Sequence, residues 1–96
     1  MATFFMYGKY SFDAVKEIHP ERTTKAIKII EALGGKVEGM YAVLGDYDLV
    51  LIVGAPDIDT IVKISVDLYM ITGIHFSSVP AMPVDYFDAI IEKESK

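Results

Sequence analysis

Asp46 and Asp48 stand two residues apart in the run Gly45-Asp46-Tyr47-Asp48. On a strand, residues at that spacing point to the same side. Two carboxylates on one side could trade a proton with a substrate or hold a cation. Asp46 follows a turn glycine and reads as an exposed turn residue. Asp48 leads into the apolar run Leu49 to Val53, and a half-buried carboxylate needs a partner. Two roles fit it: accepting backbone N–H groups at the hairpin, or contacting a ligand. Tyr47 is a ring at the same place. Tyr7, Tyr10, Tyr41 and Tyr69 add further phenols, and rings with hydroxyls suit a small organic ligand. His75 lies between Ile74 and Phe76, with Ser77 and Val79 on its own side of an alternating segment. Arg22 falls in the first turn of a helix, where the dipole favours anions. It therefore reads as paired with an acid, Asp48 or a Glu, or as a ligand anchor. The candidate ligand-binding set is Asp48, Tyr47, His75, Arg22 and Tyr41. Ordinary packing, capping and turn roles compete with it at every position.

Other chemistry is thinly provided. There is no Cys, and only His19 and His75 represent histidine, so no metal motif forms and no metal or other cofactor is implied. No serine sits in a Gly-x-Ser-x-Gly elbow. Gly34 and Gly35 follow a helix instead of opening one, so they do not cradle phosphate. The residues name no catalytic group.

The formal net charge is −5, from 9 Lys+Arg and 14 Asp+Glu. Basic residues gather only at Lys16, Arg22, Lys25 and Lys28, interleaved with Glu17 and Glu21. Phosphate backbones need denser basic clusters, so nucleic acid is not an expected partner. The longest apolar runs fall far short of the roughly 18 residues that span a bilayer. The first residues lack the basic start and cleavage pattern of a signal peptide. A soluble, cytoplasmic protein is the expectation.

Those side chains need elements to position them. Thr3 to Tyr10 alternates as a strand. Asp13 to Ile18 suits a short helical turn. Pro20 opens a helix at its first position, with His19 flanking it. Ala26, Ile27, Ile30 and Leu33 form the apolar stripe of that helix. A second strand covers Lys36 to Leu44, with Val37, Tyr41 and Val43 on one face. Gly45 and Asp46 predict a two-residue hairpin turn. The third strand, Tyr47 to Ala55, is apolar on both faces in its middle, which means cover on both sides. Asp57 caps the next helix, which runs to about Thr72 with Ile58, Ile61, Val62, Ser65, Leu68 and Tyr69 as its stripe. Gly73 ends it. Ile74 to Val79 is the fourth strand. A last helix runs from Val84 to about Glu92, and the charged tail beyond it frays.

The order β-α-β-β-α-β with an added C-terminal helix is the ferredoxin-like arrangement. It predicts one α+β domain over residues 1–96, with a four-stranded antiparallel sheet and both main helices on one face. The other face is then bare. Apolar side chains make up 52% of this 96-residue chain, and a chain this short has little interior to hold them. A second copy packed on the bare face would absorb the excess, so a homodimer or larger assembly is expected.

The stretch Leu33 to Val50 carries a pattern that resembles the GYD-domain family. Its centre is Leu44, Gly45, Tyr47 and Asp48, supported by Gly34-Gly35-Lys36, by Pro20 and Arg22, and by Ala55-Pro56-Asp57. The resemblance implies a dimeric α+β barrel of undefined biochemical role. His19 departs from the serine more usual at that cap. Gly45 to Leu51 and Thr72-Gly73-Ile74 are also similar, more weakly, to the amino-acid-sensing domain of leucine-responsive regulators. That likeness implies effectors bound between subunits. Fold analogy adds an alternative: dimeric barrels also host monooxygenases and isomerases of small organic compounds, often without a metal. Here Asp48 or His75 would have to act as base in a dry cavity.

Overall fold

The computed structural model describes residues 1–94. The chain forms β1 (Ala2–Tyr10), α1 (Phe12–Lys16), α2 (Pro20–Ala32), β2 (Lys36–Ala42), β3 (Leu49–Ala55), α3 (Ile58–Thr72), β4 (Ile74–Ala81) and α4 (Val84–Glu94). The four strands make one sheet in the order β2-β3-β1-β4, and every neighbouring pair is antiparallel. This is the α+β, ferredoxin-like architecture that the element order implies.

Local chemistry sets the helix starts. The Ser11 hydroxyl accepts the Ala14 N–H at 3.1 Å and begins α1. His19 caps α2 in place of the usual serine, its Nδ1 accepting the Glu21 N–H at 3.1 Å. Pro20, at the first position, loses nothing by lacking an N–H there. Asp57 caps α3 by taking both the Thr60 N–H and the Thr60 hydroxyl. Gly73, at φ 74°, supplies the left-handed exit and donates its N–H to the Tyr69 carbonyl at 2.8 Å.

The core lies between one sheet face and helices α2 and α3. Phe4 and Met6 of β1, with Leu51 and Val53 of β3, meet Ala26 and Ile30 of α2 and Ile61, Ile64 and Leu68 of α3. Met6, Ile30, Leu51 and Ile64 are fully enclosed. Each such side chain contributes about 1.5–3 kcal/mol by leaving water. Gly8 lets Phe76 and Ile74 close over the sheet, since a Cβ there would sit 2.8 Å from the Phe76 ring.

Four expectations need correction. The β2–β3 connection is wider than a two-residue turn: β2 ends at Ala42, β3 starts at Leu49, and the Val43 N–H bonds the Asp48 carbonyl at 3.0 Å. Leu44 stands wholly exposed in this loop. The faces of β2 also differ, because the register slips between Val37 and Gly39. A bulge shifts the alternation by one, so Val37 joins Met40 against the core and Tyr41 pairs with Val50 on the opposite side. In α3 the buried stripe is Ile61, Ile64, Leu68 and Thr72, while Ile58, Val62 and Tyr69 are exposed. Finally, β4 runs on to Ala81 and α4 to Glu94. Pro80 is tolerated because β4 is an edge strand with one unpaired side. The end of the frayed tail lies outside the described residues.

The outer sheet face carries Phe5, Tyr7, Val50, Ile52 and Val79, which register with one another across β3, β1 and β4. All five stay partly or largely open to water in the single chain.

Candidate functional site

The connection between β2 and β3 is tied to β1 through Asp48. Its Oδ2 accepts the Tyr10 N–H at 2.9 Å. Its own N–H donates to the Gly8 carbonyl at 2.9 Å, and its carbonyl accepts from Val43. The carboxylate therefore continues the β1–β3 ladder past its last strand pair, Gly8 with Leu49. Of its two readings, the backbone-bonding role is the one observed, with Tyr10 of β1 as the donor.

Arg22 reaches the same tyrosine from the other side. Its guanidinium lies 5.2 Å from the Tyr10 ring centre and donates from Nη1 to the Ala14 carbonyl at 2.6 Å. The anticipated ion pair with Asp48 is replaced by this arrangement. A cation over an aromatic face is attracted by the ring's negative quadrupole, and the bond to Ala14 ties α1 to α2. Tyr10 is thus the hub that joins the two candidates. The sequence offered it only as one phenol among several, because its partner Asp48 is 38 residues away.

Tyr47 sits on the outer face with its ring 5.3 Å from Tyr7, and Phe5 follows at 6.4 Å from Tyr7. These tilted pairs form an aromatic row. Tyr41 is 59% exposed, and its ring edge leans over Gly39, where no side chain competes for the space. The β2 bulge puts Tyr41 opposite Val50, whose other partner is Tyr7, so Tyr41 shares this outer face.

His75 is drawn to the sheet edge. Its ring centre lies 3.9 Å from that of Tyr69 on α3, and its backbone pairs with Lys9.

Two spaces lie between helices and sheet: an apolar cavity of about 300 Å³ between α3 and the β1 and β4 strands, lined by Phe4, Ile61, Val62, Phe76 and Pro80, and a smaller one beneath α2. The smaller, of about 50 Å³, is lined by Tyr10, Arg22, Met40, Leu51, Thr72 and their neighbours. That holds a water or two, well below the 300–1,000 Å³ typical of organic ligands. Arg22 is the sole member of the candidate set that lines it. Among the described residues no group of three or more His, Asp or Glu side chains is placed to hold a metal ion. Among the described residues no helix is long and apolar enough to cross a membrane.

Against known proteins, the family model described as the GYD domain matches residues 4–91, and the chain belongs to that family. No curated protein matches the sequence. Among solved structures, the Mycobacterium tuberculosis leucine response regulatory protein superposes with a TM-score of 0.57 at 15% identity. The match covers 85% of this chain and 51% of that one. A second structure, of a point mutant, gives 0.56 at 16% identity, covering 85% and 50%. The chain thus spans about half the length of the structures it matches. At such identities the likeness shows a shared fold.

Proposed function

We propose that this domain works as a homo-oligomeric small-molecule-binding module. In this reading two copies pack their outer sheet faces together, and the ligand sits where the copies meet. The observation that carries it is the outer face itself: Phe5, Tyr7, Tyr47, Val50 and Ile52 form a continuous apolar and aromatic surface that the single chain leaves half-covered. Contiguous patches of this kind mark partner surfaces. The void beside Tyr10 and Arg22 is too small for an organic ligand. Membership of the GYD family and the superposition on a leucine response regulatory protein support the same reading.

The enzyme reading is less well supported. It asks Asp48 or His75 to act as a base in one dry cavity. Asp48 is engaged with Tyr10, and the His75 ring packs at a tilt against Tyr69 at the edge.

Sedimentation at micromolar concentration tests the assembly, and a dimer or larger species is expected. A monomer there removes the seam and the reading with it. A thermal-shift series with the common amino acids tests the ligand class. A rise in melting temperature for one chemical group supports a sensor of that group, and silence across the series counts against amino acids as ligands.

A further inference from the structure

We propose that α4 is a docking arm whose seat is the cavity at the α1–α2–α3 junction of a second copy of this chain. None of α4's residues is buried, and it makes no extensive contact with another element. Phe87 and Ile90 are 50% and 40% exposed. Val84, Phe87 and Ile91 recur at helical spacing as an apolar row. Asp85, Asp88 and Glu92 recur at the same spacing along its flank. With Glu94 and Lys93 the helix holds four acids and one base, a net −3. Eleven residues fall short of the roughly 12–15 at which an isolated helix becomes marginal in water. A helix of this kind requires a surface.

The seat has matching chemistry. A cavity of about 590 Å³ opens where the end of α1, the start of α2 and the end of α3 meet. Ile18 and Ile71 give it apolar walls, and Lys16, Arg22 and Lys25 line it together with Glu17 and Glu21. Lys28 continues the basic row beside it. Four of the chain's nine Lys and Arg therefore gather here, in a molecule of net charge −5. An acidic amphipathic helix is complementary to this place in both apolar character and charge.

The arm cannot use its own chain's seat. Ala81 pairs with Thr3 and Ile74 with Tyr10, so α4 leaves from the Thr3 end of the sheet. The cavity lies at the Tyr10 end, where α1 begins and α3 finishes. The strand between them spans about 25 Å, and α4 is about 16 Å long. The molecule's long axis is 53 Å and its radius of gyration 14.9 Å, against about 12.5 Å for a compact chain of this length. The arm projects away from the body, which leaves a second copy as its partner. The contact joins unlike surfaces and closes by mutual exchange in a dimer or around a ring. It does not use the outer sheet face, so it stands apart from the reading above.

The test is made on the full chain in an Ile52→Glu background, which removes outer-face pairing, with circular dichroism to check folding. Lys16→Glu/Lys25→Glu reverses the seat, and Asp85→Lys/Asp88→Lys reverses the arm. Each pair of changes is expected to weaken association at low salt by at least about tenfold. Both pairs in one chain should restore it. No loss with either pair, or no recovery in the combination, overturns the proposal. A second readout uses the unaltered protein, mixed as ¹⁴N and ¹⁵N forms and treated with a zero-length carbodiimide. Mixed-isotope peptides joining Lys16 or Lys25 to Asp85 or Asp88 are expected. Same-isotope links alone would mean that the arm folds back on its own chain, and links from α4 to the outer face would place it elsewhere; either result sinks the proposal. The outer-face reading can fail with these links intact, and the links can fail with face-to-face dimers intact.

Discussion

Leu51 and Ile52 are chain neighbours of nearly identical chemistry, and they sit on opposite faces of one sheet. Leu51 is 1% exposed beneath α2 and α3, whereas Ile52 faces outward and is only half-covered. The inner face satisfies itself within one chain. The outer face carries a similar density of apolar side chains and has no layer of its own. The comparison teaches that one sheet divides its apolar side chains between two surfaces: one makes the fold, and the other has no layer over it within the chain.

The largest effect that can break this comparison is on the inner face. Leu51→Ala should lower stability by about 2–5 kcal/mol, because a closed core leaves a cavity when a side chain is shortened. Ile52→Ala should cost less than half as much in the dissociated chain. Denaturant unfolding of each variant at two protein concentrations separates the two, the lower concentration reporting the dissociated chain. Equal losses at both positions would erase the distinction between the faces.

A second substitution tests how tightly the inner layer is closed. Gly8→Ala places a methyl 2.8 Å from Phe76 and 3.0 Å from Ile74. Overpacking of this kind costs about 1–3 kcal/mol, read from the same unfolding curves. A neutral result would mean that Phe76 moves aside freely and that the inner face is looser than its burial indicates.

Asp48→Ala probes the seam between the faces. It removes the acceptor for the Tyr10 N–H, a loss of about 1 kcal/mol for a partly buried bond. Asp48→Asn keeps an acceptor and should lie closer to the parent. A variant that keeps its stability but loses a ligand-induced thermal shift would instead move Asp48 into the binding site.

The smallest effect lies far from either face. Hydrogen bonds from the Thr60 hydroxyl, and then the Thr60 N–H, hold the Asp57 carboxyl below its ordinary 3.8. A carboxyl lowered in the folded state stabilises above its unfolded value. That contribution fades as pH falls through the folded value. Asp57→Asn retains an acceptor for the α3 start without titrating. The stability gap between parent and variant should therefore shrink in acid, as followed by melting temperature against pH. A gap that is constant with pH would remove Asp57 from the acid response.

Much of the architecture was legible in the linear pattern. Alternation marked β1 and β4, the unbroken apolar run marked β3, and Asp57 with Gly73 bounded α3 closely. The missing parts have physical causes. A bulge between Val37 and Gly39 reverses strand alternation, and Gly39 is its one local mark in the sequence. The loop from Val43 to Asp48 widened because Asp48 bonds across to β1, a contact no local turn rule contains. Of the candidate set, Tyr47 and Tyr41 share the outer face, Arg22 and Asp48 meet through Tyr10, and His75 stands with Tyr69.

By itself the sequence determined the element order, the helix caps and the doubly apolar third strand. Each of these depends on residues close along the chain, whose backbone preferences and spacing act locally. Tertiary structure alone decided which side of α3 is buried, that Tyr10 gathers Asp48 and Arg22, and that α4 projects from the body. Those outcomes follow from packing between segments tens of residues apart, where geometry in space, not spacing along the chain, selects the partner.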